Sequence, residues 1–134
     1  MLPALNEVHP IRVLLVEDEF LISEWVAESL MEQGFAVNTA SNAADALQLL
    51  RSAPVDVLFT DINLPGGMDG SVLAVRAREL LPDLPVAYTS GRIGALDSAQ
   101  HVPGSIFVPK PYVPALVGPL LANVARAGVE RVMA

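Results

Sequence analysis

The sequence predicts an α/β domain: a doubly wound, five-stranded parallel sheet with helices on both faces. Three observations predict it. Short apolar runs bounded by turn signals recur along the chain, helix-period patterns fill the gaps between them, and the runs end in polar or charged residues. Alternation of that kind indicates parallel strands joined by right-handed crossovers, and strands covered on both faces read as continuous apolar runs.

The first run, Ile11 to Val16, is interrupted only by Arg12 and stops at Glu17-Asp18-Glu19. Phe20 to Gln33 then carries Leu21, Ile22, Trp25, Val26, Ser29 and Leu30 at helical spacing, with Gly34 as its stop. Trp25 and that stripe are expected to pack on the core, and Glu19 to sit in the first turn, where the helix dipole favours an acid. Phe35 to Thr39 is the second strand. Ser41 or Asn42 caps a helix that runs through Ala46, Leu47 and Leu50 to about Arg51.

Val55 to Thr60 is the third strand, with Asp61 at its end. The loop Leu64-Pro65-Gly66-Gly67-Met68 leads to Asp69, the cap of a helix carrying Val72, Leu73, Val75, Ala77 and Leu80 and closed by Pro82. Val86 to Thr89 and Ile106 to Val108 are the last two strands, with a weak helical pattern from Arg92 to His101 between them. Tyr112 to Ala127 places Val113, Leu116, Val117, Leu120 and Val124 on one face, and Gly118-Pro119 is expected to kink or break that helix. Residues 1–10 read as a flexible tail, 11–127 as one domain and 128–134 as a C-terminal tail.

Composition narrows the function. With 134 residues, of which 52% are hydrophobic and 17% charged, the chain can bury a core of its own. Fifteen acidic against eight basic residues give a net charge of -7, which argues against binding to nucleic acid. No apolar stretch approaches the roughly 18 residues that cross a bilayer, so no membrane association is expected. The absence of cysteine excludes disulfides and thiolate metal sites and suits the cytoplasm. His9 and His101 lie far apart without a metal-ligand pattern and read as surface residues.

In an open α/β sheet, sites form beyond the carboxyl ends of the strands. That edge gathers Glu17 and Asp18 from strand one, Asp61 from strand three, Thr89 from strand four and Lys110 from strand five. Clustered carboxylates repel one another unless a cation joins them, and Mg²⁺ prefers such oxygen ligands together with phosphate oxygens. Lys110 can pair with Asp61 and then with a phosphoryl oxygen, and Thr89 can donate to another. An Asp carboxylate is a competent phosphoryl-accepting nucleophile, and catalysis of such a transfer is mostly positioning and charge neutralisation.

From about Ile11 to Ala127 the chain resembles the receiver family of response regulators. The resemblance rests on Glu17-Asp18, Thr60-Asp61-Ile62-Asn63-Leu64-Pro65, Thr89-Ser90-Gly91 and Lys110-Pro111. It implies a flavodoxin-like fold with Asp61 as phosphoacceptor, Glu17 and Asp18 as the metal-binding pair, and the Asn63 backbone carbonyl as a further Mg²⁺ ligand. It also implies Thr89 as the switch hydroxyl, Lys110 as the phosphate-contacting lysine and a cis Lys110-Pro111 bond. Phe107 matches the switch aromatic, while the residue pattern alone reads it equally well as core. The implied donor is a sensor histidine kinase or a histidine phosphotransfer protein, and the implied output passes to another protein, with a homodimer left open. Such a chain catalyses its own phosphorylation and slow self-dephosphorylation and turns over no external substrate.

Departures from the family pattern are Glu17 where Asp is common, the paired glycines Gly66-Gly67, and Gly94, Pro103, Gly104 and Pro119 on the face many receivers use for output. Two rival readings follow. One is a phosphorylation-independent interaction module with weakened metal binding. The other, an Asp-nucleophile phosphatase, is disfavoured because Asn63 stands where its second Asp would be.

Overall fold

The computed structural model describes residues 9–92 and 101–133. In chain order the elements are β1 (Arg12–Val16), α1 (Phe20–Glu32), β2 (Ala36–Ala40), α2 (Ala43–Ser52), β3 (Val57–Asp61), α3 (Gly70–Leu80), β4 (Val86–Ser90), β5 (Ile106–Pro109) and α4 (Pro114–Met133). The five strands form one parallel sheet in the order β2-β1-β3-β4-β5. The doubly wound fold expected from the sequence is therefore the fold observed, with each strand boundary within two residues of its expected place. The helix expected between β4 and β5 falls on residues 93–100, and most of the expected N-terminal tail on residues 1–8; both lie outside the described residues.

β1, β3 and β4 each contribute to two cores because successive side chains point to opposite faces. Leu14, Val16, Leu58, Val86 and Tyr88 meet Ala46, Leu47 and Leu50 of α2 and Leu73, Ala74 and Ala77 of α3. On the other face Val13, Leu15, Val57, Phe59, Ala87 and Val108 meet Val26, Ala27 and Leu30 of α1 and Val117, Leu121 and Val124 of α4. Local chemistry starts two of the helices: the Asn42 side chain accepts from the Asp45 N–H at 2.8 Å, and Asp69 accepts from the Val72 N–H at 3.0 Å. Gly34, at φ 99°, ends α1 in the left-handed conformation that glycine adopts without steric cost.

The structure corrects three expectations. Trp25 is 58% exposed, together with Phe20, Leu21 and Met31, because the sheet covers only the Ser23, Val26, Ala27 and Leu30 side of α1. Glu19 occupies the N-cap position of α1 and makes no side-chain cap bond. The last helix is continuous through Gly118-Pro119 and extends to Met133, past Ala127, where the tail was expected. Proline removes the bond to the carbonyl four residues earlier. Here that residue is Ala115, and both Ala115 and Pro119 lie on the exposed face, where water can take the freed carbonyl. A β-carbon at Gly118 would displace the end of the Gln33 side chain and press on the Phe35 ring.

Candidate functional site

Parallel strands bring their carboxyl ends to one edge, and β3, β4 and β1 are neighbours there. Asp61 ends β3 in register with Thr89 of β4, while Glu17 follows β1 and donates its N–H to the Ala40 carbonyl. The Lys110 N–H donates to the Ser90 carbonyl, which places the lysine beside the end of β4. Glu17 is 3% and Asp61 5% exposed, whereas Asp18 is exposed.

Lys110 Nζ donates to Asp61 Oδ2 at 2.7 Å and to Glu17 Oε1 at 2.9 Å. The other oxygens are also engaged: Asp61 Oδ1 accepts from the Asn63 N–H at 3.1 Å, and Glu17 Oε2 accepts from the Glu19 N–H at 3.2 Å. Burial disfavours the Lys110 cation, but its bonds to the two carboxylates outweigh this and hold its pKa above the usual lysine value. Burial pushes the Glu17 carboxyl up, against the opposing pull of Lys110. Two carboxylates thus share one ammonium, leaving an excess of negative charge.

That excess, and the geometry, suit a hard divalent cation. Among the described residues Glu17, Asp18 and Asp61 form a group whose carboxylate oxygens lie within 4.8 Å of one another. Thr89 is 2% exposed, and its Oγ1 is a buried hydroxyl with no hydrogen-bond partner among the described residues, next to Asp61 in register. An unpartnered buried hydroxyl costs free energy, and this one is available to a further oxygen.

All the expected site residues except Phe107 gather at this edge. Phe107 is an exposed residue of β5, in register with Tyr88, and so is not a core aromatic. The Lys110-Pro111 peptide bond is cis.

Three residues with no role assigned from sequence contribute to the site. Gly70 opens α3 directly against the Asp61 main chain, and its N–H donates to the Ile62 carbonyl at 2.7 Å; a β-carbon would collide with the Asp61 carbonyl. A glycine beginning a helix right after a capping Asp was the available signal. Ser90, buried behind Thr89, accepts from the Asn63 amide. Tyr112 is half-buried with its ring 5.7 Å from Phe59, and burial together with the Glu17 charge pushes its pKa up to about 12.

The model of the response regulator receiver domain matches residues 13–114. Over 103 residues the chain is 33% identical to the transcriptional regulatory protein TctD of Salmonella typhimurium, covering 75% of this chain and 46% of that protein. The chain thus spans about half of that longer relative. It is 38% identical over 80 residues to the response regulator receiver protein CpdR of Brucella abortus, covering 60% of this chain and 66% of that protein. Among solved structures, a response regulator receiver protein from Sinorhizobium medicae superposes with a TM-score of 0.84 at 29% identity, covering 91% of this chain and 99% of that one. With the flavodoxin-like fold, the acidic edge and these matches in agreement, the chain belongs to the response regulator receiver family.

Proposed function

We propose that the chain accepts a phosphoryl group on Asp61 from a phosphohistidine and uses it to switch a protein-binding surface. The observation that carries this reading is the arrangement around Asp61, with Lys110 on one side and an unpartnered Thr89 hydroxyl on the other. An Asp61 carboxylate oxygen attacks phosphorus while the phosphorus–nitrogen bond of the donor breaks, the electron pair leaving with the imidazole. Lys110 supplies positive charge for the phosphoryl oxygens, and Thr89 Oγ1 gains the acceptor it lacks.

Glu17, Asp18, Asp61 and the Asn63 carbonyl would hold Mg²⁺, which supplies charge neutralisation during the transfer. Movement of Thr89 toward the phosphate biases the surface around β4 and β5, where the exposed Phe107 is the aromatic that reorients.

The donor is a sensor histidine kinase or a histidine phosphotransfer protein. Phe20 and Leu21 open α1 beside Glu17-Asp18, and Val113 and Leu116 lie just past Lys110, all four exposed. Such an apolar rim suits a helix that presents its phosphohistidine to Asp61. This reading places the protein in the cytoplasm, and among the described residues no helix is long and apolar enough to cross a membrane.

A phosphorylation-independent interaction module is the rival, favoured by one observation: both oxygens of Glu17 are already engaged within the protein. Incubation with Mg²⁺ and acetyl phosphate, followed by intact-protein mass, separates the two. A single phosphoryl adduct in wild type and none in Asp61→Asn is expected. Absence of both adduct and Mg²⁺ binding in wild type selects the module.

A further inference from the structure

The amino end of the sheet, opposite Asp61, carries an open groove of about 680 Å³. Ile11, Val55 and Pro85, which precede β1, β3 and β4, line it together with Leu81, Leu84 and Val129 of α4. At Gly128 the helix comes so close to Pro85 that a β-carbon would collide with the proline ring, which fixes α4 against this end of the sheet. Ile11, Val55 and Leu81 are only half-buried and Val129 is 58% exposed, so the lining is apolar surface left open to water. A cavity of this size takes several apolar side chains, and surface of this kind favours an occupant.

Chain position, reach and charge select the occupant. His9 lines the same groove and is the residue at which residues 1–8 join the fold, so that segment starts at the groove with no linker to cross. Its root is held there: the His9 ring lies 3.9 Å from the Asp56 carboxylate, and Pro10 keeps His9 in extended backbone. Eight residues reach about 26 Å when extended, enough to cross the groove. The segment carries the apolar side chains of Met1, Leu2, Leu5 and Val8. Its one charged side chain, Glu7, complements Arg126, a groove residue that forms no ion pair among the described residues.

We propose that residues 1–8 are the occupant of this groove: their apolar side chains seat against Ile11, Leu81 and Val129, and Glu7 pairs with Arg126. Docked in this way, the segment ties the start of β1 to the end of α4 and covers the amino end of the sheet.

The test is a double-mutant cycle read by urea denaturation. One change starts the chain at His9; the other is Val129→Glu, which puts a charge into the groove at an exposed position. Loss of residues 1–8 is expected to raise the unfolding equilibrium constant about five- to thirtyfold. Val129→Glu is expected to give most of the same loss in the full chain, but a change of at most about threefold in the shortened one, where position 129 faces water. The apolar dye anilinonaphthalene sulfonate is expected to bind the shortened chain and not the full one.

Additive losses overturn the proposal, as does unchanged stability on removing residues 1–8. Dye binding to the full chain as strong as to the shortened one also overturns it, and assigns the groove to a small apolar ligand. If the stability of the full chain rises with protein concentration and Val129→Glu abolishes the rise, a second copy fills the groove and residues 1–8 do not. Should the shortened chain fail to fold, Leu2→Asp combined with Leu5→Asp in the full chain takes its place in the cycle, with the same expectations.

Discussion

Lys110 Nζ lies 2.7 Å from Asp61 Oδ2 across 49 residues of chain, and the same ammonium bonds Glu17. Removing it leaves two buried carboxylates without a counter-charge. Lys110→Met is expected to destabilise the domain by about 3 kcal/mol at neutral pH, the order found when one partner of a buried pair is lost. The orphaned Glu17 carboxyl, already pushed up by burial, gains a folded-state pKa further above its unfolded value. A group raised in this way favours the folded state at low pH and loses that contribution as pH rises through its folded pKa. The deficit of Lys110→Met therefore shrinks on acidification, which urea denaturation at several pH values measures.

Asp18 is the exposed member of the acidic group, so it can be changed with little effect on the fold. Asp18→Asn is expected to weaken Mg²⁺ binding by at least about tenfold in calorimetric titration. Its stability without metal is expected to stay within about 0.5 kcal/mol of wild type.

Thr89 Oγ1 is buried without a partner, a cost that an apolar isostere relieves. Thr89→Val is expected to leave the unphosphorylated domain as stable as wild type or up to about 1 kcal/mol more stable. The same variant is expected to lose the conformational response to phosphorylation. Thermal unfolding measures the first effect, and amide-exchange differences with and without phosphodonor the second.

At the opposite end of the sheet, Asp56 receives the Arg12 guanidinium through two bonds, 2.9 and 3.0 Å, and the Arg12 N–H at 2.8 Å. Burial opposes ionisation of Asp56, but these bonds prevail and hold its pKa below the ordinary 3.8. A depressed carboxyl contributes stability above its unfolded pKa and loses it as pH falls through its folded pKa. Asp56→Asn is expected to cost about 1 kcal/mol at pH 7, discounted because the pair is partly exposed. The two proteins are expected to converge in stability below pH 3.8, which acid titration of the unfolding free energy checks.

Trp25 lies on the solvent side of α1. Trp25→Ala is expected to change stability by less than about 0.5 kcal/mol, where a core tryptophan would cost several times that. As the chain's single tryptophan, it should emit as a water-exposed indole and be quenched readily by iodide.

The sequence by itself determined the order of the described elements and the edge where the candidate site lies. Buried strands need continuous apolar runs, Asn42 and Asp69 start helices through local bonds, and parallel strands deliver Glu17, Asp61, Thr89 and Lys110 to one edge. Only the tertiary structure decided which of these groups pair. Glu17 is the lysine's second partner, Thr89 has none among the described residues, and the Asn63 amide bonds Ser90, because each relation depends on the spacing of strands distant in sequence. The same holds for Trp25 and Pro119. Helical period identifies a stripe, but which part the sheet covers, and whether a freed carbonyl meets water, is settled by the neighbours each helix acquires on folding.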